Sequence, residues 1–153
     1  MITEQKLMIV RETATETNRT QTPEDLAMFW ENEVKKSAWF QEDKECFVVF
    51  FLNAKNYVSG YNLVTLGLLD SSLVHPREVF RPAIIGGAAA IVVAHNHPTG
   101  DPTPSAEDIR ITKQLVEAGK IVDMKVLDHV VIGNKAIDGK GFCSMRSNGI
   151  VEF

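Results

Sequence analysis

His95 and His97, separated by one asparagine, end the apolar run at 88–94, and an acidic residue, Asp108, follows after ten intervening positions. A strand presents alternate residues on one face, so the two histidines project to the same side, about 7 Å apart at Cα, and their imidazoles can converge on one ion. Asn96 points away. The stretch between them and Asp108 holds Pro98, Gly100, Pro102 and Pro104, which exclude helix interior and predict a tight loop. Asp108 then falls in the first turn of the next helix, from where its carboxylate can return toward the imidazoles. Two neutral nitrogens and one carboxylate oxygen suit Zn²⁺ better than Ca²⁺ or Mg²⁺, and three protein ligands leave a fourth position for water, as in catalytic zinc sites.

Such a site needs a base, and a glutamate on a rigid element is the usual choice. Two candidates stand upstream. Glu45 abuts the apolar run CFVVFFL, an expensive place for a charge, and Glu78 lies in the first turn expected after Pro76. Plainer readings compete with the metal site: Ser105-Ala106-Glu107-Asp108 fits a capping box, and HNHP would serve as polar turn. Other metal motifs fit poorly. The His-x-His-x-Asp-His pattern of metallo-β-lactamases would need Asp and His where Thr99 and Gly100 stand, and neither HxE with PCxxC nor HExxH is present.

The positioning elements follow from periodicity and punctuation. Residues 6–12 read as a short edge strand, one that could pair with another chain. Thr22 caps a helix over 23–39, with Pro23 at its first position and Leu26, Phe29, Trp30, Val34 and Ala38 inward. Strands are expected at 45–53 and 57–67, joined as a hairpin, with another connection at 70–72. A helix over 76–86 would bury Val79, Phe80, Ala83 and Ile84, and a strand at 88–95 would deliver His95. Ser105 would cap a helix burying Ile109, Leu115 and Val116 and ended by Gly119. A strand at 123–133 and a ragged tail complete the chain. Alternating strands and helices give an α/β or α+β class with a central mixed sheet. His75 reads as a helix-start or loop residue, His129 as a structural, hydrogen-bonded histidine, Asp101 as turn chemistry, and Trp30 and Trp39 as core or interface.

The 153 residues, 44% hydrophobic and 24% charged, fit one domain of ordinary globular composition. A net charge of −4 without a basic run argues against direct DNA contact. Cys46 and Cys143 lack CxxC spacing and read as free thiols in a reducing compartment. No signal peptide or membrane-length apolar run is visible, so a soluble, cytoplasmic protein is expected.

The strings HNHPTGDPTPSAEDIRIT (95–112), VHPREVFRPAI (74–84) and AGKIVDMKVLDHVVIG (118–133) carry a more specific signal. They resemble the JAMM motif of JAB/MPN metallopeptidases, in its bacterial RadC-like branch, over roughly residues 45–150. The resemblance implies a JAB/MPN, cytidine deaminase-like architecture in which His95, His97 and Asp108 hold one catalytic zinc. It favours Glu45 over Glu78 as general acid/base, gives Ser105 a role in stabilising the tetrahedral intermediate, and leaves open for His75 and His129, both inside the matching strings, a supporting role beside the ligands. It implies hydrolysis of a peptide or isopeptide bond in a protein or peptide substrate. RadC proteins usually carry an N-terminal helix-hairpin-helix-like region. The residues before Glu45 hold one helix and no such hairpin, so 1–44 reads as a strand and helix extension on a stand-alone core at 45–153. The alternatives are an accessory role in DNA repair or mobile-element biology, and a degenerate scaffold that binds partners without metal.

Overall fold

A computed structural model describes residues 21–67 and 74–153; the expected strand at 6–12 and the connection at 70–72 lie outside them. The chain runs α1 (Pro23–Asn32), β1 (Cys46–Leu52), β2 (Val58–Leu66), α2 (Pro76–Ile85), β3 (Ala90–Asn96), α3 (Ala106–Ile121), β4 (Lys125–Ile132), α4 (Lys135–Asp138) and β5 (Phe142–Ser144). The strands form one mixed sheet in the order β2-β1-β3-β4-β5. Among the described residues only β3 and β4 pair in parallel, with α3 as the crossover between them.

Why β1 is apolar along its whole length is visible in its two faces. Phe47 and Val49 pack with Val79, Phe80 and Ala83 of α2 and Ile111 and Leu115 of α3. Cys46, Val48, Phe50 and Leu52 pack with Leu26 and Trp30 of α1 on the other side. A central strand covered on both faces has no solvent side to alternate toward. Helices flank the mixed sheet, the α+β class that the alternation predicts.

Several boundaries differ from expectation. Thr22 caps α1 as expected: its Oγ1 accepts from Asp25 N–H at 3.1 Å, and the Asp25 carboxylate accepts from Thr22 N–H at 3.0 Å. The helix nevertheless ends at Asn32, and a single 3-10 turn, Val34–Lys36, leads out of it. The cause is aromatic packing. The chain turns so that Phe40 meets the buried Trp30 ring edge-on, centroids 6.3 Å apart, which leaves Ala38 exposed. Ile84 is likewise not on a buried face: α2 packs through Val79, Phe80 and Ala83, and residues 84–87 of its last turn and exit are exposed.

Gly119 does not end α3, which continues to Ile121. The glycine serves close approach instead, because a Cβ there would stand 2.6 Å from the Met124 carbonyl oxygen and 3.3 Å from Val126 Cγ2. Gly119→Ala should therefore destabilise the fold. Overpacking costs about 1–3 kcal/mol, against the ~1 kcal/mol that alanine returns in helix propensity. The thermal midpoint should fall by a few degrees; a midpoint at or above wild type would show that the Met124 backbone gives way freely.

Candidate metal centre

The centre forms where β3 runs out beneath the N-terminus of α3. Backbone pairing persists one residue past β3, with His97 N–H donating to the Ile132 carbonyl at 2.8 Å. Strand alternation therefore still governs His97, and both imidazoles face one side. The loop then turns on Gly100, at φ +85°, where any Cβ would also meet Ile137 Cδ1 at 2.7 Å. Asp101 behaves as turn chemistry: its carboxylate accepts from Thr103 N–H and Oγ1–H at 2.9 and 2.7 Å. Its backbone carbonyl does something the sequence did not suggest. It accepts from His97 Nδ1 at 2.7 Å, which puts the proton on Nδ1 and leaves Nε2 bare.

His95 is fully buried, Asp108 almost so, and His97 partly exposed. Their ligating atoms lie within 4.8 Å of one another, a group that can hold a metal ion. Ligand atoms about 2.0–2.1 Å from a tetrahedral zinc stand about 3.3 Å apart. Here the two Nε2 atoms are 3.0 Å apart and each lies 3.3 Å from a carboxylate oxygen of Asp108. At this spacing the donor set fits zinc on geometry as well as on chemistry.

Asp108 meets both demands at once. Its Oδ2 accepts from Ser105 N–H at 2.8 Å, and Ser105 Oγ accepts from Asp108 N–H at 3.1 Å, a complete capping box. Its Oδ1 faces His95. Burial pushes the Asp108 carboxyl up, but the neighbouring His95 and His97 rings and the Ser105 amide N–H outweigh this and hold it well below the usual carboxylate range. Burial lowers His97, yet Asp108, the Asp101 carbonyl and Glu45 together raise its pKa above the ordinary histidine value.

Glu45 immediately precedes β1 and lines a cavity of about 280 Å³ with His97, Pro98, Thr99, Ser105 and Asp108. What holds it there is Asn96, the residue between the histidines. Its side chain points away from them, as alternation requires, and reaches the neighbouring strand. Asn96 Oδ1 accepts from Cys46 N–H at 2.8 Å, and its Nδ2–H donates to the Lys44 carbonyl at 2.9 Å. The amide thus grips the chain on both sides of Glu45. No sequence pattern announced this role, because it depends on the antiparallel register that sets His95 opposite Phe47.

Glu78 is exposed on α2, 3.5 Å from Arg77, and does not line this cavity. His75 occupies the N-cap position of α2 without a side-chain capping bond, as a helix-start residue. Cys46 and Cys143 are free, and burial raises both thiols. Trp30 is core, and Trp39 packs partly buried against the same cluster. His129 is structural and hydrogen-bonded, as expected, and its partners are His95 Nδ1, at 2.8 Å from its Nε2, and Thr112 Oγ1, at 2.5 Å from its Nδ1.

A mixed sheet that ends a strand in His-x-His beneath a helix N-terminal aspartate, with a glutamate across the cleft, is an arrangement of the JAB/MPN class. The family described as "RadC-like JAB domain" matches residues 20–150, and the chain belongs to that family. It is 51% identical over 110 residues to a UPF0758 protein of Caldanaerobacter subterraneus, covering 72% of this chain and 45% of that one. It is 50% identical over 109 residues to one of Desulforamulus reducens, covering 71% and 46%. With one of Bacillus cereus it shares 44% over 128 residues, 84% and 52% of the two chains. The chain spans about half the length of the curated relatives it matches. Among the described residues, no helix is long and apolar enough to cross a membrane.

Proposed function

We propose that this chain is a zinc-dependent hydrolase that cleaves a peptide or isopeptide bond. One observation carries the reading: a His-His-Asp group, buried at His95 and Asp108, opens on a cavity whose wall also holds a carboxylate, Glu45, and a hydroxyl, Ser105. A bound zinc ion would supply Lewis acidity there, acidifying a water and polarising the carbonyl. Glu45 takes the proton of the attacking water as the C–O bond forms, then returns it to the amine nitrogen as the C–N bond breaks. Ser105 Oγ accepts the Asp108 amide N–H, so its own proton is available to the developing oxyanion. Asp101 and Asp108 keep His97 and the ligand set oriented throughout.

The test is to incubate the zinc-loaded protein with a proteome-derived peptide mixture and with ε-linked lysine conjugates, then sequence the new amino groups. The expected result is cleavage that stops on chelation. Intact substrates in both mixtures would overturn the reading. The Asn96 clamp supplies a second prediction. Asn96→Ala releases the backbone beside Glu45 and should lower kcat about 10–100-fold, with zinc content unchanged. An unaltered kcat would show that Glu45 is held by other contacts.

A further inference from the structure

We infer that His129 and Thr112 are positioning residues of the metal centre, a hydrogen-bonded pair that fixes the tautomer of His95 so that its Nε2 stays bare. The inference rests on the reading of His95, His97 and Asp108 as metal ligands. It concerns two residues that are not themselves ligands, His129 on β4 and Thr112 in the second turn of α3, one turn beyond Asp108.

Proton accounting along the chain of contacts leads to it. Thr112 Oγ1 has one proton and lies 2.6 Å from the Asp108 carbonyl oxygen, which can only accept. Without a proton between them those two oxygens would repel, so the hydroxyl donates to Asp108. Thr112 Oγ1 must then accept from its other close neighbour, His129 Nδ1, at 2.5 Å; Met145 Sδ, at 3.3 Å, is a weak partner. A proton on His129 Nδ1 leaves Nε2 bare in the neutral ring. That nitrogen stands 2.8 Å from His95 Nδ1, so His95 carries its proton on Nδ1 and turns an unprotonated Nε2 to His97 and Asp108. The chain of bonds begins at the backbone of one ligand, Asp108, and ends on the ring of another, His95. A metal-bound imidazole is commonly oriented by a bond from its second nitrogen; here the acceptor is a second histidine whose own tautomer is set by a threonine.

The pair exists because β4 is irregular. Ile91 pairs with Val126, but two residues later Val93 pairs with His129, so β4 carries one extra residue. Regular alternation from Val126 would turn residue 129 to the α1 face. The extra residue brings its ring to the His95 face instead, where Phe47 packs edge-on at 5.4 Å and encloses it. The Asp128 carboxylate closes the irregularity, accepting from His129 N–H at 2.7 Å, Arg146 N–H at 3.0 Å and Ser144 Oγ–H at 2.5 Å.

The experiment combines a tautomer measurement with metal affinity. Long-range ¹H–¹⁵N NMR of the wild-type protein should show Nδ1 protonation at both His95 and His129, in the zinc-loaded form. Zinc affinity, measured by competition with a chromophoric chelator, should fall about 10–100-fold in Thr112→Val, which removes the hydroxyl at near-constant shape, and stay within about threefold in Thr112→Ser. Circular dichroism of the metal-free variants controls for folding. Equal zinc affinity in wild type and Thr112→Val, or a His129 protonated at Nε2, would overturn the inference and leave the metal site standing. A wild-type protein that takes up no zinc would overturn both.

Discussion

Glu45→Gln is expected to lower turnover by about 10²–10⁴-fold, the usual worth of a positioned general acid/base, while the bound zinc is retained. The substitution keeps the size and hydrogen-bonding shape of the side chain but removes its capacity to take a proton. Glu45 is outside the His95–His97–Asp108 group, so metal content should not change. Its backbone carbonyl accepts from Gly67 N–H at 2.9 Å, and its flanking peptide groups are gripped by Asn96. Neither contact involves the carboxylate, so the local fold should survive. Metal analysis, thermal melting and single-turnover kinetics on one preparation check all three statements. Full activity with zinc in place would remove Glu45 from the chemistry; a variant that also loses zinc would make it a ligand. An inactive variant that keeps substrate bound would also serve as a trap, and whether it captures protein or nucleic acid separates hydrolysis from the DNA-repair alternative.

The joint substitution His95→Ala plus His97→Ala should abolish zinc uptake and activity together. Two of three ligands disappear, and Asp108 keeps only its capping bonds to Ser105. The effect on stability depends on metal. With zinc at about a thousand times its dissociation constant, the wild type should gain about 4 kcal/mol on loading, read as a rise in thermal midpoint. The double variant should gain none. Near-stoichiometric zinc in the variant, or no zinc in the wild type, would sink the metal centre. His75 and Glu78, which lie outside the His-His-Asp group and its cavity, provide the control, since their replacement should leave zinc binding unchanged.

These expectations draw unequally on sequence and on structure. The ligand set was legible because each part depends on local geometry. Alternation along β3 turns His95 and His97 the same way, proline and glycine force the reversal, and the Ser105 capping pattern starts α3 where Asp108 can look back. The apolar length of β1 announced a strand covered on both faces, and with it the mixed sheet between helices. Where local signals met tertiary demands, they lost. Gly119 resembles a helix stop, but the near contact of Met124 and Val126 makes it an interior residue. Spacing carries α1 to 39, but the packing of Phe40 on Trp30 ends it at Asn32.

By itself, then, the sequence determined the sheet-and-helix class and the three converging side chains, because contacts within a few residues or one strand period specify them; the family was legible only through the resemblance of whole strings. Only the tertiary structure decided what surrounds those side chains. Asn96 reaches Glu45 because β3 pairs antiparallel with β1, fifty residues away in sequence. His129 reaches His95 because one extra residue in β4 reverses its facing. Strand register and an irregularity in a parallel pair are set by how distant segments fit against one another, and no local pattern in the chain encodes them.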